Sequence, residues 1–354
     1  MVILNIFGEM EEITVSKKLG ITVSNLSDDW KNGIKEDIKE EIYLREFEVK
    51  KYIKYSPKLE NYNLSEILGD AYYDGVFNVG VNDDENIDEI SKKLVCIQIG
   101  DFENSLLTLK NKEIDNPTCE DSFEYKFIQF FQFLATHNMV EKERKYNSPL
   151  CVYHTENTGK GMGILRSLVY RFGKNERIDH SCFFNRQIAD LIKFGEILDN
   201  YLESAEDFLE LDYLIDAIYR DISYNAYHLF KFASLIEMLI INPNTKGKTC
   251  GELESKLPAF LADNQLSTEE EKRQFCTMIR VIRNKIGHGD FKQLHKKLEE
   301  YAGCFMKNYW FDYYEYSHIN WIYLNLCCEL NRIVSNIIWK KLIHKQEMID
   351  LKNS

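Results

Sequence analysis

The period of the apolar residues changes near Gln187, and this change limits the possible folds more than any other feature of the chain. Before about Arg177, apolar residues gather in short runs: Ile13–Val15, Ile21–Val23, Ile42–Phe47, Val76–Val81, Leu94–Ile99, Phe123–Phe133 and Cys151–His154. Polar clusters at Val81–Asn86 and Asp115–Pro117 act as turn signals between them. Short runs bounded in this way read as strand-rich with some helix, since a short apolar run fits a strand or a buried helix. Asn32 and Gly33 predict a further break after Trp30, and helically spaced charges over Lys31–Lys39 predict one short helix there. From Gln187 onward, Ile188, Leu191, Ile192, Ile197, Leu198, Tyr201 and Leu202 recur at helical spacing. Tyr213, Ile215, Ile218 and Tyr219 form a second stripe, and Ala226–Ile241 a third that is broken by Asn242–Gly247. Further helices are predicted over Gly251–Ala262, from Ser267 through Ile282, over Phe291–Met306 and over Ile319–Ile343. Ser267 and Glu270 are spaced as a capping box that would open the helix through Phe275, Met278, Ile279 and Ile282. The expected fold is α+β: a strand-rich domain over residues 1–183, then an all-helical bundle over 184–354.

Charge divides the chain in a similar way. Up to Glu210 there are 25 Lys+Arg against 39 Asp+Glu, which leaves 19 against 18 in the remainder, for a formal net charge of −13. An acidic surface repels nucleic acid and anionic membrane, so an anionic ligand would need a local patch. The Met1 end lacks the basic and long apolar regions of a secretory signal, and no apolar run approaches a membrane span. The expectation is a cytoplasmic protein that does not engage membrane. Nine cysteines without a C-x-x-C pair predict reduced, mostly buried thiols and no metal site.

Chemistry concentrates in Arg283-Asn284-Lys285-Ile286-Gly287-His288-Gly289-Asp290. The glycines flanking His288 predict a helix end there. Five residues on an ideal helix rotate by about 140°, so Arg283 and His288 diverge unless the helix unwinds at Gly287. If it does, Arg283, Asn284 and His288 could share one polar cleft. These residue types suit RNA phosphodiester cleavage. A histidine can take the ribose 2′-OH proton, and an arginine can hold the charge that grows on phosphorus. Asn284 could orient the phosphate or fix the imidazole tautomer. The nucleophile comes from the substrate, so RNA and not DNA would react, and no cofactor is needed.

RNKIGHG in a late helix of a C-terminal bundle resembles the R-x4-6-H signature of HEPN domains, in the form found in the Apea-like subfamily. The helix carrying Glu237, about 46 residues upstream, and the terminal helix with Arg332 are similar to that group as well. The resemblance spans about Gln187–His344 and leaves the N-terminal half unassigned. It implies a metal-independent endoribonuclease whose catalytic Arg283 and His288, with Asn284, meet their copies across a homodimer interface. Glu237 and Lys285 would be auxiliary. Two copies of Arg283 and Lys285 would concentrate positive charge that one acidic monomer lacks. Many relatives are toxins or abortive-infection effectors that act against phage. The expected partners are therefore RNA, with tRNA and mRNA as candidates, and a phage-derived or antitoxin regulator. The N-terminal part would sense, regulate or select substrate. The competing reading is a non-catalytic dimerisation or interaction module, in which Arg283 pairs with an internal carboxylate such as Glu237 and His288 caps a helix.

Other motifs are weaker. Gly159–Gly163 lacks phosphate-loop spacing. The aromatic run Tyr309–Tyr316 could stack bases but suits packing or a dimer surface better, and Asp83–Glu89 reads as a solvated acidic loop.

Overall fold

The computed structural model describes residues 1–36, 88, 91–100, 122–136, 151–153, 180–219, 223–242, 249–261, 266, 268–306 and 318–354. They form an α+β fold, a small antiparallel sheet followed by helices. The strands are β1 (Val2–Phe7), β2 (Ile13–Ser16), β3 (Ile21–Asn25), β4 (Leu94–Ile99) and β5 (Cys151–Tyr153), in the order β2-β3-β4-β1-β5. All neighbours in the sheet run antiparallel. Expected runs at Ile13, Ile21, Leu94 and Cys151 thus become strands, and β1 joins them. The runs Ile42–Phe47 and Val76–Val81 lie outside the described residues, as do Gly159–Gly163 and Tyr309–Tyr316.

Two local expectations are corrected. Phe123–Phe133 is not a strand but the body of helix α1 (Phe123–Thr136). Phe123, Phe127, Phe130, Phe131 and Leu134 are buried three and four residues apart, a helical period that outweighs the strand preference of phenylalanine. Residues 28–36 are helical straight through Asn32 and Gly33, with no break. A Cβ at Gly33 would meet nothing within 4 Å, so that glycine imposes no turn.

The helices that follow are α2 (His180–Tyr201), α3 (Ala205–Ile218), α4 (Ala226–Ile240), α5 (Thr249–Lys256), α6 (Glu269–Gly287), α7 (Phe291–Phe305), α8 (His318–Ile343) and α9 (Lys345–Asn353). A 3-10 turn, Leu257–Phe260, extends α5. Among the described residues, no helix is long and apolar enough to cross a membrane. The chain forms two compact units, residues 1–129 with 147–217 and residues 130–146 with 218–354. They do not coincide with a cut at residue 183, because α2 and nearly all of α3 cluster with the sheet.

In the first unit, α2 lies hard against β2. A Cβ on Gly195 would overlap the Val15 carbonyl. Asp199, one turn further along α2, accepts from Ser16 Oγ at 2.5 Å and from the backbone N–H groups of Lys17 and Lys18 at 2.8 and 3.2 Å. One carboxylate thereby satisfies the turn between β2 and β3. Val2–Leu4 and Leu94–Ile97 are buried at every position, so neither face of the two strands meets solvent there.

In the second unit, α4 is the core helix. Leu229, Phe232, Ile236, Leu239 and Ile240 are buried, and α4 packs on α6, α8 and α9. His228 is fully buried. Its Nε2 lies 2.7 Å from Asn331 Oδ1 on α8, and its ring stacks on Phe232 with centroids 4.6 Å apart. It is a packing histidine. On α8, Ile322, Leu326, Leu330, Ile333, Ile337 and Ile338 all face inward, as their spacing predicts. The short helix α9 was not foreseen. Lys352 Nζ donates to the Met238 carbonyl in the last turn of α4 at 2.9 Å, and Lys256 Nζ donates to the Lys352 carbonyl at 3.0 Å. Lysines thus serve carbonyls that the ends of α4 and α9 leave without helical partners.

Gly195→Ala should destabilise the chain by about 1–3 kcal/mol or more, because backbone must shift to admit the methyl group. Gly33→Ala, in open space within a helix, should be neutral or stabilising by up to about 1 kcal/mol. Denaturant unfolding of the two variants against the parent checks the contrast.

Candidate active site

All five residues singled out by the sequence belong to the helical unit: Glu237 on α4, and Arg283, Asn284, Lys285 and His288 on and just after α6. Helix α6 starts at a capping box, one residue later than expected. Thr268 is the N-cap, its side chain accepting from Glu271 N at 3.1 Å while Glu271 accepts from Thr268 N at 3.2 Å. The run of three glutamates offers both registers, and the structure uses the second. Phe275, Cys276, Ile279 and Ile282 then form the buried stripe, with Met278 half-buried.

The far end of α6 is a tightly bonded corner. The helix stays regular through Gly287, and His288 N donates to the Asn284 carbonyl at 3.0 Å. The expected unwinding at Gly287 does not occur. The chain turns one residue further on, at Gly289, whose φ is +68°. Gly289 N donates to Ile286 O at 3.0 Å and Asp290 N to Lys285 O at 2.9 Å, the paired bonds of a Schellman stop. The apolar contact that often accompanies this stop is replaced by an ion pair, Lys285 Nζ to Asp290 Oδ2 at 2.9 Å. That hydrogen bond holds the Asp290 carboxyl below its ordinary value. Asp290 also caps α7, its Oδ1 accepting from Gln293 N at 3.3 Å, and Phe291 N closes a three-residue turn onto Gly289 O at 3.0 Å. His288 therefore rides on a rigid backbone with an exposed side chain. Its ring makes no hydrogen bond among the described residues.

Arg283 faces a different set of groups. Its Nη2 lies 2.8 Å from Glu237 Oε2, its Nη1 donates to Asn284 Oδ1 at 3.0 Å, and its guanidinium sits 5.7 Å from the centre of the Phe230 ring. Burial pushes the Glu237 carboxyl up, and the charges of Arg283 and Arg280 pull it partly back. One turn earlier, Arg280 Nη2 and Thr277 Oγ1 approach Glu254 Oε1 of α5 at 3.5 and 2.7 Å. The pairing of Arg283 with Glu237, one of the two sequence readings, is thus present. Among the described residues the Asn284 side chain makes no bond to the His288 ring, and its amide oxygen accepts from Arg283. Asn284 connects the two candidates differently, through its side chain to Arg283 and through its carbonyl to His288 N. Arg332 bonds Glu329 of its own helix at 2.9 Å.

Sequence reasoning missed Arg280, Thr277, Glu254 and Phe230. The one available signal was the R-x-x-R spacing of Arg280 and Arg283, which puts both on one side of α6. The buried thiol of Cys276, on the same helix, is pushed up to about 12 by burial and is no nucleophile at neutral pH. Comparison of the chain with protein-family models, with curated proteins and with solved structures gives no match.

Two outcomes follow. Because folding raises the Glu237 pKa above 4.5, its ionisation opposes folding, and this contribution to stability falls as pH rises from 4.5 through the folded value. Glu237→Gln should therefore lose less stability than the parent between pH 4.5 and 7, read from denaturant midpoints. Gly289→Ala should cost about 1 kcal/mol, because alanine is strained at positive φ, and the same unfolding titration detects it.

Proposed function

We propose that this chain is a metal-independent RNA endonuclease of HEPN type, acting in the cytoplasm as a toxin or abortive-infection effector. The observation that carries the reading is the His288 corner: an imidazole exposed on a backbone fixed by four hydrogen bonds, joined through Asn284 to the Arg283 guanidinium. A general base needs access to substrate and a fixed position, and the corner supplies both. His288 would take the proton from a ribose 2′-OH. The 2′-oxygen would attack phosphorus, the bond to the 5′-oxygen would break, and that oxygen would take up a proton from water. The products would carry 2′,3′-cyclic phosphate, or 3′-phosphate once water opens the ring, and 5′-OH ends. Arg283, oriented by Glu237 and Asn284, keeps further N–H groups for the phosphate. A homodimer would bring two such sets to one groove, with tRNA or mRNA as substrate. The N-terminal part would answer to a phage-derived or antitoxin regulator or select the RNA.

A second reading has its own support. The 2.8 Å contact between Arg283 and Glu237 is what a structural ion pair between α4 and α6 requires. Arg283 would then be a counter-ion, His288 the end of a helix, and the bundle a non-catalytic dimerisation or interaction module.

The two readings diverge in an RNA cleavage assay with EDTA present. The nuclease should cut, and His288→Ala should lower the rate about 100-fold or more. Its expression should arrest growth, with Arg283→Ala or His288→Ala relieving the arrest. Equal behaviour of parent and His288→Ala on cellular RNA, with and without extract of infected cells, would leave the interaction module standing.

A further inference from the structure

The surface next to His288 has a composition that the cleavage chemistry does not use. Phe291, three residues beyond His288, is 59% exposed at the start of α7. Lys292, His295 and Lys296 are exposed on the same helix. Spacings of three and four residues make Phe291, Lys292, His295 and Lys296 contiguous on one helix face. Neither lysine forms an ion pair among the described residues. Lys272, Lys285 and Lys297 each sit on a carboxylate instead: Glu269, Asp290 and Glu300. No acidic residue occurs between Phe291 and Lys297, in a chain whose net charge is −13. At the start of α7 the Phe291 and Gln293 amides are taken by Gly289 O and Asp290 Oδ1.

We infer that this face of α7 is a track for single-stranded RNA, on which Phe291 stacks an unpaired base while Lys292 and Lys296 hold the phosphates that follow it. An exposed aromatic flanked by free cations is the arrangement that single strands use, since every base presents a face and every linkage a charge. A duplex keeps its bases stacked on each other and gains nothing from Phe291. The inference rests on the nuclease reading, because the track matters as the approach to His288.

The test separates the two. Binding is measured by fluorescence anisotropy on the full chain, with a mixed-sequence 2′-O-methyl RNA single strand, which has no nucleophile and cannot be cut. Phe291→Ala should weaken binding about 5- to 100-fold, and Phe291→Trp should restore it. Lys292→Ala with Lys296→Ala should reduce the slope of log affinity against log salt by about 1.4. The matching duplex should bind more weakly and ignore Phe291. If the parent does not bind the single strand, or Phe291→Ala binds as the parent does, the track is overturned. It is also overturned if Phe291→Ala turns a dimer into a monomer by light scattering and Phe291→Trp does not rescue binding, since Phe291 then serves contact between copies. Cleavage of unmodified RNA by parent and His288→Ala reports on the nuclease reading alone. Binding that needs Phe291 without cleavage keeps the track and removes the nuclease. Cleavage that needs His288 but not Phe291 does the reverse.

Discussion

One ion pair organises the helical unit. Glu237 enters from the core helix α4, and Arg283 enters from α6. Half-buried charges are costly to strand, so each side chain is held where an opposite charge can reach it. The pair therefore bridges α4 and α6. The apolar stripe of Phe275, Ile279 and Ile282 is buried along the same helix. The raised Glu237 carboxyl reflects the same tension, with desolvation opposed by two arginines. A guanidinium held in this way is pre-oriented, which helps a phosphate ligand and a structural strut equally.

The end of α6 works on a different principle. Its order comes from backbone bonds, with Gly289 in the left-handed region and Asp290 serving both the Lys285 ammonium and the first turn of α7. Side-chain freedom is left to His288. A bonded corner carrying a ring with no hydrogen bond among the described residues suits a group that meets something outside the chain.

The helices were legible in the sequence because their apolar periods are long. Ile322 through Ile338 on α8 and Phe275 through Ile282 on α6 repeat often enough to outvote local propensity. The strands at Ile13, Ile21 and Leu94 were legible because turn residues isolate them. Phe123–Phe133 misled, since its aromatics favour strands one by one and only their spacing speaks for a helix. Gly33 misled in the opposite way, as a lone glycine that a helix simply tolerates. At the candidate site, the helix stop at His288 could be read from its two glycines. The place of the turn, Gly289 and not Gly287, could not, because both glycines permit it and hydrogen bonding decides. Glu254 and Arg280 stayed invisible because their pairing joins α5 to α6, which no local pattern encodes.

The small helix α9 has a practical bearing on handling the protein. Its Lys352 closes the last turn of α4 while Lys256 closes α9 in return, so two short clasps hold the tail against the helix that bears Glu237. Trimming by a protease that removes Lys352 would take away the bond it donates to the Met238 carbonyl at the end of α4. A preparation trimmed there would look intact by size yet lack a clasp on the helix that bears Glu237, which makes mass spectrometry of the intact chain the right check before any assay.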